Sequence, residues 1–178
     1  MRRSDSHNSG LKYYSCLIKS GQVAFSREPA LISTICGNGL IISVRDKWRC
    51  VGGLANCVYP KHMAKQGKCS NYYVDVAMRS LLRSFQAVRS APASLEVQLI
   101  GGGSFDSAGA KRARDMLQIA RKICRRLSLK IISEDVGGEL GRKVVFNTFS
   151  GEMMIMKTKK VRRTDWLPGT ARLPFTRS

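Results

Sequence analysis

Residues 31–44, LISTICGNGLIISV, decide the fold class of this chain. The run is apolar and rich in β-branched side chains on both sides of a Gly-Asn-Gly break at 37–39. β-Branched residues favour strands, and a glycine inside such a run marks a bend or a close backbone approach. We therefore predict two strand halves joined by a bend. A further strand is predicted at 51–60, VGGLANCVYP, with a turn at Gly52 and Gly53 before it and a proline at its end.

Two amphipathic helices are predicted farther along the chain. After Asn71, a candidate N-cap, apolar side chains recur at helical spacing at Val74, Ala77, Met78, Leu81, Leu82, Phe85 and Val88. A second apolar stripe consists of Ala113, Met116, Leu117, Ala120, Ile123, Cys124 and Leu127. The basic residues between 111 and 126 lie mostly off this second stripe, which predicts a positively charged outer face.

Further strand patterns occupy 94–100, 129–135, 142–149 and 153–161. The order of strands, helix, strand, helix and several strands fits an α+β fold, in which two helices pack on one side of mostly antiparallel sheet layers. Polar and basic ends without apolar periodicity complete the chain. We expect a flexible tail at 1–17, one domain at 18–161 and a basic tail at 162–178.

The composition is that of a folded, strongly basic protein. Hydrophobic residues make up 43% and charged residues 24% of the 178 residues, a balance typical of a globular domain. No run of about 18 apolar residues could span a bilayer, and no apolar signal-peptide core follows Arg2 and Arg3. We therefore expect a cytoplasmic protein without membrane insertion.

The net charge indicates acidic partners. Lys and Arg number 31 against 12 Asp and Glu, a formal charge of +19, and such a field attracts nucleic acid, anionic membranes or acidic proteins. The basic stretches 111–126 and 157–163 could follow a nucleic-acid backbone, but no helix-turn-helix, RNP or zinc-finger signature accompanies them. A basic nucleic-acid-binding module therefore remains an alternative.

Motifs for metal, phosphate or histidine chemistry are weak. The six cysteines form no CxxC pair, so buried reduced thiols are expected, and a zinc site would have to combine the irregularly spaced Cys36, Cys50, Cys57 and Cys69. GGGSF at 101–105 matches no phosphate-loop signature and predicts a tight turn. The two histidines are His7 and His62, which limits acid-base mechanisms that need an imidazole. We expect no metal and no cofactor.

Six segments, in order, resemble the chemoreceptor glutamine deamidase (CheD) family. They are IKSGQVAFSREPALIST, GNGLIISVRD, GGLANCVYP, YVDVAMRSLLRSF, LEVQLIGGGSF and EDVGGELGRKVVFNTFSGEMMIMK, and together they cover about 18–160. The resemblance implies a CheD-like sandwich. It also implies an activity, since family members use a cysteine thiolate, a histidine and a threonine to hydrolyse receptor glutamine side chains to glutamate and ammonia.

Aligned without gaps, the family motifs place the threonine at Ser33, the nucleophile at Gly39 and the imidazole at Asn56. Glycine carries no nucleophile, and asparagine is not a base near neutral pH. The resemblance therefore predicts that no catalytic set is intact. An active deamidase would need displaced groups: Cys36 or Cys57 as the thiol, with His62 as the base. Strand alternation, carried over three residues, would turn Cys36 away from the nucleophile position.

The resemblance also implies partners. We expect a CheD-family chemotaxis protein that works by binding the cytoplasmic region of a methyl-accepting chemoreceptor, or a CheC-type phosphatase, without hydrolysis. Receptor signalling helices carry many glutamates, so a basic surface complements them electrostatically.

Overall fold

The computed structural model describes residues 13–62, 70–104 and 106–159. Its helices are α1 (Val74–Ala87) and α2 (Ser107–Arg126), with a short 3-10 turn at Pro92–Ser94. Its strands are β1 (Tyr14–Ile18), β2 (Val23–Ser26), β3 (Ala30–Cys36), β4 (Leu40–Asp46), β5 (Val51–Cys57), β6 (Leu95–Gly101), β7 (Lys130–Val136), β8 (Gly141–Asn147) and β9 (Met153–Thr158). The two predicted helices and the predicted strand regions are confirmed.

The strands form two sheets. One has the order β1-β3-β8-β9 and the other has the order β2-β5-β4-β6-β7. β1 pairs with β3 and β6 with β7 in parallel, and the remaining pairs in these sheets are antiparallel. Both helices pack on the five-stranded sheet, whose other face packs on the four-stranded sheet. The α+β sandwich with helices on one side is therefore confirmed.

Two apolar clusters hold these layers together. The larger lies between the helices and the five-stranded sheet and includes Met78, Leu81 and Phe85 of α1 with Met116 and Ala120 of α2. The predicted helical stripes thus form the core, because burial of one face is what stabilises an amphipathic helix. Leu127, which was predicted to belong to the apolar stripe of the second helix, is instead 39% exposed. The reason is that α2 ends at Arg126 and Leu127 is its C-cap.

The bend at 37–39 carries the chain from one sheet to the other. β3 belongs to the four-stranded sheet and β4 to the five-stranded sheet. The two predicted strand halves are thus both present, and the Gly-Asn-Gly sequence lies where the chain crosses between the layers. This crossing brings the end of β3 close to the end of β5.

Two local predictions are corrected by packing. α1 begins after Tyr73, and Asn71 instead accepts a hydrogen bond from the Ser80 hydroxyl at 2.8 Å. Gly52 and Gly53 lie inside β5, not in a turn before it. A Cβ at Gly53 would lie 2.5 Å from Cδ1 of Leu81, so glycine here lets α1 approach the sheet closely.

The N-terminal boundary also differs from the prediction. Residues 14–17, predicted to belong to the tail, form most of β1 and pair in parallel with β3. Its first three side chains are exposed, so backbone pairing, together with the buried Ile18, holds the strand in place. Residues 1–12 and the basic tail at 162–178 lie outside the described residues. In the described part of the chain, neither helix is long and apolar enough to cross a bilayer.

Candidate functional site

Asn56, which is aligned with the family's histidine, lies where the two sheets face each other. Asn56 of β5 is 1% exposed, and its Nδ2 donates to the Thr34 hydroxyl and to the Ile35 carbonyl, both at 2.8 Å. The Thr34 hydroxyl in turn donates to the Ile18 carbonyl at 2.8 Å. These contacts join β5 of the five-stranded sheet to β3 and β1 of the other. Asn56 therefore works as a buried structural link between the sheets.

The hydroxyl beside Asn56 belongs to Thr34, which the sequence reasoning missed. Ser33, the residue aligned with the family threonine, is half-buried and pairs in register with Leu17 and Val145. Adjacent residues of a strand point to opposite faces, so Ser33 and Thr34 cannot both face the second sheet. The alternation of β3, with Ile32, Thr34 and Cys36 on one face, was the signal that could have identified Thr34.

The side-chain amide of Asn56 makes only part of the hydrogen bonds that it could make. Its Oδ1 is buried and has no hydrogen-bond partner among the residues that the structure describes. An unsatisfied buried acceptor costs about 1–3 kcal/mol. The amide donor side is fully used, and the side chain has no group that could accept a proton near neutral pH.

The position aligned with the nucleophile has no room for a side chain. A Cβ at Gly39 would lie 2.3 Å from the carbonyl oxygen of Cys57. The Gly39 carbonyl also accepts a hydrogen bond from the Gly102 amide at 2.7 Å, and a Cβ at Gly101 would lie 2.6 Å from that oxygen. Glycines on both loops thus let the 37–39 bend pack directly against its neighbours.

Residues 101–104, the described part of the GGGSF segment, are packed against neighbouring loops. The Gly102 amide donates to Gly39, and the Ser104 amide donates to the Gly138 carbonyl at 2.9 Å. The Asp106 carboxylate caps α2 through the Gly109 amide. A phosphate loop needs free amides directed at the ligand, whereas these amides are engaged within the protein.

Cys36 lies closer to the nucleophile position than strand alternation suggested. Its Sγ would be 3.3 Å from a Cβ at Gly39. The alternation argument is wrong here because 37–39 form a bend and do not continue the strand. Cys36 is nevertheless 2% exposed, and burial raises the pKa of its thiol to about 12, although the Gly39 amide and the charge of Arg142 oppose this rise. At neutral pH only about one thiol in 10⁵ would be ionised.

Cys57 and His62 complete the set of displaced candidates. Cys57 lies in the cluster on the helix side of the five-stranded sheet, and burial, with the nearby Cys36 and Asp75, raises the pKa of its thiol far above the ordinary value. The His62 amide donates to Asp75 at 3.0 Å, and its ring packs edge-on against Tyr73 at 5.1 Å. These contacts place His62 at the start of α1, and His7 lies outside the described residues.

The buried thiols lead to a labelling prediction. In the native protein we expect iodoacetamide to modify the exposed Cys16 while leaving Cys36 and Cys57 unmodified, because alkylation needs an accessible thiolate. Peptide mapping by mass spectrometry after a short pulse measures this. In denaturant all three should react, which is the control. Labelling of Cys36 as fast as Cys16 in the native state would contradict the buried arrangement.

The four-cysteine zinc alternative is not assembled. Cys50 precedes β5 and Cys57 ends it, so the rise of the strand separates them by about 20 Å. In the described ranges, no group of three or more His, Cys, Asp or Glu side chains is arranged to hold a metal ion. Cys69 lies outside those ranges.

Comparison with known proteins identifies the family. A family model described as CheD chemotactic sensory transduction matches residues 59–157, more than half of the chain. This chain belongs to the CheD family. The matched segment begins after Ser33, Gly39 and Asn56. The described fold, from the end of β5 to β9, covers the matched part apart from 63–69 and Phe105.

Curated CheD relatives match over most of their length. The probable chemoreceptor glutamine deamidase CheD of Methanococcus maripaludis strain C5 is 26% identical over 148 residues, which cover 82% of this chain and 96% of the relative. The chemoreceptor glutamine deamidase CheD of Thermotoga maritima is 27% identical, covering 79% and 90%. The probable CheD 2 of Geobacter sulfurreducens is also 27% identical, covering 83% and 91%. The chain is thus similar to whole CheD proteins.

Among solved structures, the chain is similar to a Neisseria meningitidis protein of the family model DUF152. The TM-score is 0.39 at 11% identity, and the match covers 72% of this chain and 63% of that protein.

Proposed function

We propose that this chain is a non-catalytic CheD-family protein that acts in chemotaxis by binding the cytoplasmic region of a methyl-accepting chemoreceptor. The arrangement around Gly39 carries the proposal. The nucleophile position has neither a side chain nor room for one, because the Cys57 carbonyl would be 2.3 Å from a Cβ there. The base position is Asn56, whose amide links the two sheets.

The chemistry of amide hydrolysis supports this view. A thiol must ionise to attack an amide carbon, and the departing nitrogen must receive a proton. Cys36 is close to the right place, but its thiol is buried and protonated, and its neighbour Asn56 cannot take the proton. The scaffold, by contrast, is similar to that of whole CheD relatives, one of which aligns over 96% of its length.

Charge supports the binding role. A protein with a net charge of +19 is attracted to the acidic surface that glutamate-rich receptor helices would present. The relatives carry the name chemoreceptor glutamine deamidase, which makes a receptor the first partner to test. A CheC-type phosphatase, implied by the family resemblance, is the second partner that we propose.

An ammonia-release assay tests the absence of activity. The full chain is incubated with a receptor cytoplasmic fragment carrying exposed glutamines, and the Thermotoga maritima relative serves as the positive control. We expect no release above background from this chain, and a saturable, salt-sensitive binding signal by calorimetry. Exposed charges are screened over about 8 Å at physiological ionic strength, so binding should weaken as salt rises.

Cys36→Ala and Cys57→Ala separate the alternatives. Ammonia release that is lost in Cys36→Ala and kept in Cys57→Ala would show that Cys36 acts as a displaced nucleophile. Absence of receptor binding together with nanomolar duplex-DNA binding at physiological salt would favour a nucleic-acid-binding module, since specific DNA complexes reach about 10⁻⁸ M or tighter.

A further inference from the structure

A groove of about 430 Å³ runs between α1 and α2 on the face of the helices that points away from the sheets. The two helices place four exposed basic side chains on its rim: Arg79 and Arg83 from α1, and Lys122 and Arg126 from α2. The exposed Lys61 also lines the groove. We call this feature the basic groove. An adjoining cavity of about 580 Å³ shares Lys61 and Ile119 with it and extends it past Asp115.

The rim charges are not neutralised within the described part of the chain. Arg121, also on α2, donates from Nε to Glu134 at 3.1 Å, whereas no described carboxylate pairs with the four rim residues. Asp75 also lines the groove, and its Oδ1 accepts from the His62 amide. Each helix carries a like-charged pair four residues apart, and such pairs repel each other weakly. Asp75, four residues before Arg79, offsets part of this charge on α1.

The floor of the basic groove is apolar. Leu82, Ile119 and Ile123 are only partly buried there, and Leu127 is 39% exposed at the end of α2. Phosphate groups gain nothing from such a floor, because nucleic-acid contacts of this kind rest on charge alone. An apolar floor between basic rims instead complements a helix with an apolar stripe and acidic flanks.

The dimensions also fit a helix. Along α2 the basic groove runs from Ile119 to Arg126, about 11 Å, and the adjoining cavity extends the lining to Asp115. Together they give about 17 Å, or three turns of a partner helix lying alongside. The five-stranded sheet separates this groove from Thr34 and Asn56, which face the other sheet. A ligand in the basic groove would therefore not contact the region around Gly39.

We infer that the basic groove is a docking site for an acidic amphipathic helix of a partner protein. The inference rests on the proposed function in that the helix is assigned to the receptor. It adds a binding surface on the helical layer, separate from the positions that correspond to the family's catalytic residues. Apolar contacts with the floor provide the affinity, and the rim charges select acidic flanks and orient the helix.

The test uses the full chain and a synthetic probe. The probe is a fluorescent amphipathic peptide of about 18 residues, with leucines on one face and glutamates on the others, long enough for the groove. Its affinity is measured by fluorescence anisotropy for the wild-type protein and for two charge-reversal variants. The groove variant is Lys122→Glu with Arg126→Glu. The matched control is Arg114→Glu with Arg125→Glu, which makes the same change in net charge on exposed positions of the same helix outside the groove.

We expect the groove variant to bind the peptide at least about tenfold more weakly, and the control to lose no more than about twofold, since only nearby charges act strongly in salt. A peptide with its leucines changed to glutamine should bind wild-type protein weakly. Equal losses in the two variants, or no effect of removing the leucines, would overturn the inference. Circular dichroism of both variants confirms that the comparison is between folded proteins.

Binding of a receptor cytoplasmic fragment distinguishes a failure of this inference from a failure of the proposed function. If the peptide result holds but a receptor cytoplasmic fragment does not bind the wild-type protein, the groove stands and the receptor assignment fails. If the fragment binds equally to wild type and groove variant, the groove is not its docking site and the inference fails. Duplex DNA that binds at physiological salt only when the groove is intact, without peptide binding, would replace the inference with a nucleic-acid site.

Discussion

Replacing Gly39 with alanine is expected to lower the free energy of unfolding by about 2–3 kcal/mol, near the upper end of the usual cost of overpacking. The added Cβ would meet the carbonyl oxygen of Cys57 at 2.3 Å, and a backbone atom at the end of β5 cannot move aside as a flexible side chain can. The 37–39 bend would have to separate from β5. Denaturant unfolding followed by fluorescence and circular dichroism gives the difference.

Gly37 provides a matched control in the same bend. A Cβ there would meet nothing within 4 Å, and its backbone does not lie in the left-handed region. Gly37→Ala should therefore change the free energy of unfolding by no more than about 0.5 kcal/mol. Equal destabilisation by the two changes would mean that loop flexibility, and not the contact with Cys57, governs the bend.

The contact with the Cys57 carbonyl oxygen would also oppose a variant that restores the family's cysteine nucleophile at position 39. The obstacle to Gly39→Cys is space, because the Gly39 backbone also lies outside the left-handed region that resists side chains. A cysteine there should cost about as much stability as alanine, or more, since the sulfur adds volume beside Cys36. Adding Asn56→His would also break the amide contacts with Thr34 and Ile35.

Arg142→Ala is expected to destabilise the protein by roughly 3 kcal/mol, because it removes one partner of a largely buried ion pair. Arg142 is 2% exposed, and its Nη2 donates to Asp135 at 3.1 Å and to the Gly137 carbonyl at 2.7 Å. Its Nη1 donates to the Leu140 carbonyl. Since Asp135 belongs to β7 and Arg142 to β8, these bonds join the two sheets.

Lys157→Ala is the control for that change. Lys157 contacts the same Asp135 carboxylate at 3.2 Å, but its side chain is 52% exposed. Exposed ion pairs contribute about 0–1 kcal/mol, so its loss should be small. Thermal and denaturant unfolding of both variants measures the difference, and hydrogen exchange should show that only Arg142→Ala loosens the 137–140 turn. A loss for Lys157→Ala as large as that for Arg142→Ala would contradict the dominant role of the buried partner.

The sequence by itself determined the elements and the class of fold. Apolar periodicity located α1 and α2 to within a few residues, because a helix is stabilised by the face it buries and that face repeats every 3.6 residues. β-Branched runs located the strands, including β3 and β4 on either side of their bend. The six ordered segments also indicated the CheD family, to which the chain belongs. Glycine at 39 and asparagine at 56 were visible without any structure.

The tertiary structure alone decided which of these groups meet. Thr34 faces Asn56 because two sheets pack face to face, and Cys36 lies beside Gly39 because the chain bends between those sheets. Local spacing cannot encode either contact, since both depend on how separate strands are placed. Backbone pairing with β3, together with the buried Ile18, holds β1 in place, and its exposed side chains add little. The basic groove likewise exists only because α1 and α2 lie side by side, which brings into one rim charges that are about 40 positions apart in the chain.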